Sequence, residues 1–285
     1  MTLQWYPGHM TKARRELGEL MPSQDVVIEV IDARLPTASS NPLITELRGS
    51  KPAIKVLTKS DLADPEITRA WVQYFEREPN VRAFAATTER PQETRKRIAE
   101  LSRNLAAHRG PDKAVRALIA GVPNVGKSTL LNTLMNKAVA KVSNKPAVTK
   151  EQKMVTLASG MQITDSPGLM WPKIEDESRA FRLALVGSIP DTAIDYLTIG
   201  IFGGRYLLEK YPKLLLARYK LDKKPPEAQA LIEEIGRRRG ALRKGGTVDL
   251  HKAAEMFVLE LRRGEIGRIT FERPPAPPVT EAAPP

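Results

Sequence analysis

Over roughly the first 170 residues, short apolar runs rich in Val and Ile alternate with longer stretches whose apolar residues recur every three or four positions. The runs DVVIEVIDA (25–33), PAIKVL (52–57), VRAFAA (81–86) and VRALIAG (115–121) have the length and composition of buried strands. MVTLA (154–158) and MQITD (161–165), parted by Ser-Gly, predict a hairpin. PEITRAWVQYFERE (65–78) opens with Pro after Asp64, a helix start signal. QETRKRIAELSRNLAAH (92–108) places Ile98, Leu101 and Leu105 on one helical face. Alternating strands and helices predict an α/β domain with a mostly parallel sheet. Beyond about residue 175 the strand pattern stops. Segments 176–189, 192–211, 225–240 and 248–266 carry helical spacing, the last through Leu250, Ala254, Phe257, Val258 and Leu261. They predict a small all-helical domain. RPPAPPVTEAAPP (273–285) has almost nothing to bury and predicts a disordered, extended tail. The expected organisation is an N-terminal arm (1–20), an α/β domain (21–174), a helical domain (175–272) and the Pro-rich tail (273–285).

Composition removes several classes of chemistry. The 285 residues include no cysteine, which excludes disulfides, thiolate metal sites and cysteine nucleophiles. Three histidines leave little room for a zinc site. No apolar run approaches the ~20 residues of a membrane span, and the start lacks the layout of a signal peptide. A cytoplasmic, monomeric protein without a membrane partner is expected. The net charge of +12 points to a polyanionic partner, most simply nucleic acid, unless it is only a generically basic surface.

Gly121-Val-Pro-Asn-Val-Gly126-Lys127-Ser128 fits G-x-x-x-x-G-K-S/T, with a predicted strand running in and a helix running out. Such a loop turns its backbone N–H groups onto phosphate oxygens at a helix N-terminus. Asn124, Val125, Gly126, Lys127, Ser128 and Thr129 are the expected phosphate-binding residues. Lys127 should reach the β- and γ-phosphates, and the Ser128 hydroxyl should ligate Mg²⁺. ITDSPGL (163–169) ends a strand in Asp-x-x-Gly about forty residues later. There Asp165 would hold Mg²⁺ and the Gly168 N–H would sense the γ-phosphate. Thr149 is the candidate switch residue and a third Mg²⁺ ligand, or else an ordinary loop threonine.

Thr58-Lys59-Ser60-Asp61 follows the second predicted strand. A carboxylate at Asp61 can accept from guanine N1–H and the exocyclic amine, a pair adenine cannot offer. Thr58 keeps a side-chain oxygen where Asn is more usual. The Lys59 stem would lie against the base. Ala86 and Thr87, after the third strand, stand where a backbone loop would contact guanine O6. A lone T-K-x-D arises readily by chance, and here it precedes the phosphate loop by about sixty residues. Circular permutation reconciles the order, with AAHRGPDKA (106–114) joining the former termini. It also leads the Asp-x-x-Gly segment directly into the helical domain.

The order T-K-x-D, G-x-P-N-V-G-K-S, D-S-P-G, with WYPGHM at the N-terminus and Asp32-Ala-Arg34, resembles the circularly permuted GTPases of the ribosome biogenesis GTPase A (RbgA/YlqF) type over residues 3–270. The resemblance implies a permuted P-loop GTPase domain followed by a helical domain that binds ribosomal RNA. It implies GTP and GDP as ligands, a role in late assembly of the large ribosomal subunit, and hydrolysis stimulated by that particle.

Leu169 follows Asp-x-x-Gly where many GTPases carry a water-orienting glutamine. His9 is the catalytic candidate, and the resemblance supports it; the alternatives are a surface histidine or an RNA contact. Asn124 either ligates K⁺ beside the phosphates or stabilises its own loop. Arg237, Arg238, Arg239, Arg243 and Lys244 are candidate RNA contacts, with Arg262, Arg263 and, on the arm, Lys12, Arg14 and Arg15. Any one of these residues reads more simply as part of a solvated face; together with the overall charge they suggest phosphate-backbone contacts. Tyr206, Tyr211 and Tyr219 either stack on bases or pack between helices. A GTP-dependent RNA-binding scaffold, with incidental turnover, is the competing reading. A P-loop kinase or ATPase is opposed by Asp61, and a tRNA-modification GTPase by the lack of residues for a further domain.

Overall fold

The computed structural model describes residues 9–110, 112–135, 141–145, 152–157, 159–166, 168, 170, 174 and 176–276. Its strands are β1 (Val26–Asp32), β2 (Ala53–Thr58), β3 (Val81–Ala85), β4 (Arg116–Ala120), β5 (Lys141–Lys145), β6 (Gln152–Thr156) and β7 (Gln162–Asp165). They form one seven-stranded sheet in the order β3-β2-β1-β4-β7-β6-β5. Neighbours from β3 to β7 are parallel, and β6 and β5 add an antiparallel margin. The mostly parallel sheet is as predicted. β6 and β7 pair as the predicted hairpin, whereas the polar segment KVSNK of β5 gave no apolar signal, so this second partner of β6 was not anticipated.

Every residue of β1 is buried, as expected for a strand with neighbours on both sides and covered faces. The chain winds outward through β1, β2 and β3. It then returns along α5 (Pro91–Leu105) and a short turn, Ala107–Arg109, to lay β4 on the free side of β1. The expected joining linker therefore spans the point where the strand order reverses. In open α/β sheets the crevice beyond the strand ends at such a point is where ligands bind.

The other helices are α1 (His9–Leu20), α2 (Pro36–Ser39), α3 (Pro42–Arg48), α4 (Pro65–Phe75), α6 (Lys127–Met135), α7 (Glu177–Leu185), α8 (Tyr196–Lys210), α9 (Pro212–Tyr219), α10 (Ala228–Arg239) and α11 (Leu250–Arg262). Side-chain caps fix several starts: Asp64 accepts from Glu66 N and Ile67 N, Asp176 from Ser178 N, Asp195 from Thr198 N and Asp249 from Lys252 N. One sheet face packs against α4 through Ile67, Trp71 and Phe75. The core of the other face runs on through Met170 and Ile174 into the helical bundle at Leu183, Leu207, Ile232 and Phe257. Close packing in the bundle depends on small residues of α8; a Cβ at Gly203 would lie 2.8 Å from Leu185 Cδ2. Among the described residues no helix is long and apolar enough to cross a membrane.

The helix expected over 248–266 stops at Arg262, and the chain returns to the sheet as an extended strap. Ile269, Thr270, Phe271 and Glu272 are buried. Ile269 N donates to Leu62 O, Phe271 N to Arg34 O, and Asp64 N to the Thr270 hydroxyl. Glu272 accepts from Thr37 N at 2.7 Å and Ala38 N at 3.0 Å, and its carbonyl accepts from Trp71 Nε1. The last residues assigned to the helical domain thus brace the α/β part instead.

Candidate functional site

The loop after β4 has the geometry its motif requires. A Cβ at Gly121 would meet Val30 O at 2.6 Å, so only glycine fits there. Gly126 has φ +101°, a conformation L side chains resist, and lies against the Thr58 side chain. Val125 is buried beneath the loop, whereas Asn124, Ser128 and Thr129 are exposed. Lys127 Nζ stands 3.9 Å from Asp165 Oδ1 at the end of β7. A Cβ at Gly168 would be 3.3 Å from Pro123 Cα, so the Asp-x-x-Gly turn is seated directly on the phosphate loop.

The loop after β2 reaches the same place from the other side of β1. Thr58, Lys59, Asp61, Ala86, Thr87, Gly126 and Thr129 line one cleft of about 150 Å³. Ser60 donates to Ala86 O through its N–H and its hydroxyl, which ties the Asp61 turn to the end of β3. The Thr58 hydroxyl stands 2.9 Å from Ile31 O and 2.5 Å from Val125 O, bracing the phosphate loop as an amide in that place would. Lys59 and Asn124 both adopt left-handed backbone, at φ 55° and 60°. Such conformations persist where the surroundings over-determine them.

Lys59, expected to lie against a base, is tied into the surrounding protein. Its ammonium donates to Asn124 O at 2.7 Å and pairs with Asp32 Oδ2 at 2.9 Å. Asp32 is fully buried and also holds Arg34, whose Nε and Nη2 lie 2.9 and 2.8 Å from the two carboxylate oxygens. Burial pushes the Asp32 pKa up, but Arg34 and Lys59 outweigh it and hold the carboxyl well below the ordinary range. The sequence marked Asp32 and Arg34 only through a resemblance; nothing in their spacing showed that they anchor Lys59.

The Asn124 carboxamide donates to Gly187 O at 2.8 Å, in the turn that ends α7. Arg262 caps the same turn, donating to Ala184 O and Leu185 O and pairing with Asp191. At the other end of α7, Arg179 donates to the carbonyls of Thr37, Ala38 and Ser40. The helix that follows the Asp-x-x-Gly segment is therefore tied to the α/β part at both ends.

Other predicted residues fall elsewhere. His9 begins α1, and only its main chain is described. Thr149 and Leu169 lie outside the described residues. The arginines of α10 are neutralised within the fold: Arg237 by Glu233 and Glu234, Arg238 by Glu234 at 2.7 Å, and Arg239 by Glu260 at 3.0 Å. Arg243 pairs with Asp249, and exposed Lys244 follows it. Arg262 is spent on α7. Tyr219 is buried and packs between helices, whereas Tyr206 and Tyr211 are half-buried and bond through their hydroxyls to Thr270 O.

Residues 116–194 match the family model described as 50S ribosome-binding GTPase. That span contains the phosphate loop and the Asp-x-x-Gly turn but not Asp61, as a permuted chain requires. The chain is 40% identical over 281 residues to ribosome biogenesis GTPase A of Bacillus licheniformis, covering 96% of this chain and 99% of that one. It belongs to the ribosome biogenesis GTPase A family. A Thermotoga maritima member is 33% identical, with 95% of each chain covered. A solved structure described as GDP-bound TM YlqF matches at TM-score 0.67 and 30% identity, covering 91% of this chain and 99% of that one. The protein is accordingly a GTPase with a circularly permuted nucleotide-binding domain.

Mg²⁺ suits the donors present. Asp165 and Ser128 offer hard oxygen ligands beside Lys127. Among the described residues no group of three or more His, Cys, Asp or Glu could hold a metal alone. This fits a small cation held jointly by a few protein oxygens and substrate phosphates.

Proposed function

We propose that this chain is a GTP-hydrolysing switch that binds ribosomal RNA and acts late in assembly of the large ribosomal subunit, as a cytoplasmic monomer. One observation carries the reading: Asp61, Thr87 and Gly126, distant in the chain, border a single cleft in which a guanine can be read while its phosphates lie on the loop after β4. The name carried by the similar proteins supports the ribosomal setting. Asp61 selects guanine, Lys127 holds the β- and γ-phosphates, and the Gly168 N–H reports the γ-phosphate. Ser128, Asp165 and Thr149 would hold Mg²⁺, which would supply positive charge against the transferred phosphoryl group. His9 orients or deprotonates the attacking water. The NH₂ end of Asn124 is committed to Gly187 O, which leaves its oxygen as the ligand atom for K⁺.

The test is GTP turnover with and without precursor large-subunit particles, in KCl and in NaCl. Particle-stimulated turnover is expected, lower in NaCl, with kcat reduced about a hundredfold in His9→Ala. An unchanged kcat removes His9 from the chemistry. Equal turnover in the two salts removes K⁺, and turnover indifferent to the particle removes the ribosomal setting.

A further inference from the structure

Two groups of cations in the helical part differ in their surroundings. Those of α10 pair with carboxylates, Arg238 at 2.7 Å, Arg239 at 3.0 Å and exposed Arg237 at 3.5 Å. A second set, Arg182, Lys210 and Arg273, borders a cleft of about 390 Å³ where α7, α8 and the strap meet. That volume lies within the ~300–1,000 Å³ typical of small-ligand sites and has room for one base and its phosphate. The carboxylate in the cleft, Glu272, is only 6% exposed and is turned onto the Thr37 and Ala38 amides. Among the described residues Lys210 pairs only with its neighbour Glu209, which is 67% exposed; such surface pairs hold their cation weakly. The floor is the half-buried ring of Tyr206, with buried Phe271 packed behind it. The Tyr206 ring lies 5.3 Å from that of Phe271, and its hydroxyl is held by Thr270 O at 2.8 Å. Cations around a rigid aromatic floor suit a phosphodiester and its base. An acidic peptide would use the cations and leave the ring idle.

We propose that this cleft receives one unpaired nucleotide of an RNA strand, its phosphates between Lys210 and Arg273 and its base over the Tyr206 ring. The inference rests on the RNA-binding reading above and gives it a location other than the arginines of α10. The site joins two parts of the molecule: Tyr206 and Lys210 belong to α8, whereas Phe271 and Glu272 belong to the strap. Two residues earlier the same strap bonds Leu62 O, next to Asp61. RNA seated here touches the segment that braces the guanine-reading loop.

Binding of a fluorescent single-stranded RNA dodecamer to the full chain, followed by anisotropy over a salt series, tests this. Lys210→Gln and Arg273→Gln should each weaken binding about three- to tenfold and lower the slope of log K against log salt by about 0.7. Both should leave GTP turnover without RNA unchanged. An abasic dodecamer should bind more weakly than the normal strand, and Tyr206→Leu should erase that difference. Arg237→Gln and Arg243→Gln should bind as the unaltered protein does. Unchanged affinity in the Lys210 and Arg273 variants overturns the cleft, and loss in the Arg237 and Arg243 variants instead moves the RNA to α10. Equal losses toward polyglutamate and RNA overturn it in favour of an acidic protein partner. If the unaltered chain binds no RNA, the RNA reading itself falls, and the cleft with it.

Discussion

Asp32 is buried with two cations against it, so removing its charge strands both. Breaking a buried ion pair from one side typically destabilises by about 3–5 kcal/mol. Asp32→Asn should lose stability on that order, measured by urea unfolding at neutral pH. The carboxyl's pKa is lowered in the folded state, so its contribution is complete above the ordinary value of 3.8 and is lost as pH falls through the depressed one. The advantage of the unaltered protein over Asp32→Asn should therefore shrink only in strong acid. Asp61 has a different task. Asp61→Ala leaves two guanine donors unpaired, worth about 1–3 kcal/mol, or roughly 5- to 150-fold in GTP affinity. ATP binding should not change; an equal loss for both nucleotides in competition assays would show that Asp61 does not select guanine. The tetrapeptide that holds Asp61 could be picked out in the sequence because a carboxylate at that spacing suits guanine recognition, and the fold brings it to the cleft beside Gly126. The Asp32–Lys59 pair could not, since two residues 27 positions apart meet only because β1 and β2 are neighbours in register, Asp32 beside Thr58.

Among the elements, strands and capped helices followed the apolar periodicity closely, and their ends shifted by a few residues. The short helices α2 and α3 were missed; each is too brief to show a period, although each begins with Pro at its first turn. The strap was missed for another reason. Its few apolar residues carry no periodicity, and its order comes from hydrogen bonds to residues more than two hundred positions earlier, at Asp64 and on α4. Glu272 is the strap's polar anchor. Burial raises its pKa above the ordinary 4.5, against the pull of the Thr37 and Ala38 amides and Arg182. A raised folded value means that its contribution is complete below 4.5 and declines as pH rises through that folded value. Glu272→Gln does not ionise. Its stability deficit relative to the unaltered protein should thus narrow from pH 4 toward neutrality in thermal unfolding. A deficit that widens over that range would contradict the buried, proton-favouring site.

For the whole molecule, permutation places the proposed guanine reader after β2 and the phosphate loop after β4, on either side of β1. The Asp-x-x-Gly segment then runs into α7 rather than into further sheet. The core continues from sheet to bundle, so the helices form an extension of the α/β part. The strap closes the circuit by pairing with the loop that carries Asp61. Nucleotide that orders this loop should protect its partners. Amide hydrogen exchange at Ile269 and Phe271, which donate to Leu62 O and Arg34 O, should slow several-fold when GTP analogue is bound rather than absent. Exchange indifferent to nucleotide would disconnect the strap from the site.

Local chemistry was written in the chain. The alternation of strand and helix, the G-x-x-x-x-G-K-S loop, the Asp-x-x-Gly turn and the T-K-S-D tetrapeptide each depend on neighbouring residues, so their meaning survives without coordinates. The fates of the charged residues depended on packing. The arginine run of α10 looked free in sequence and is neutralised by Glu233, Glu234 and Glu260. Lys210 and Arg273 gave no such signal and border an open cleft. Coulombic pairing falls off with distance in space, not along the chain. Only the folded arrangement decides which cations remain for a partner.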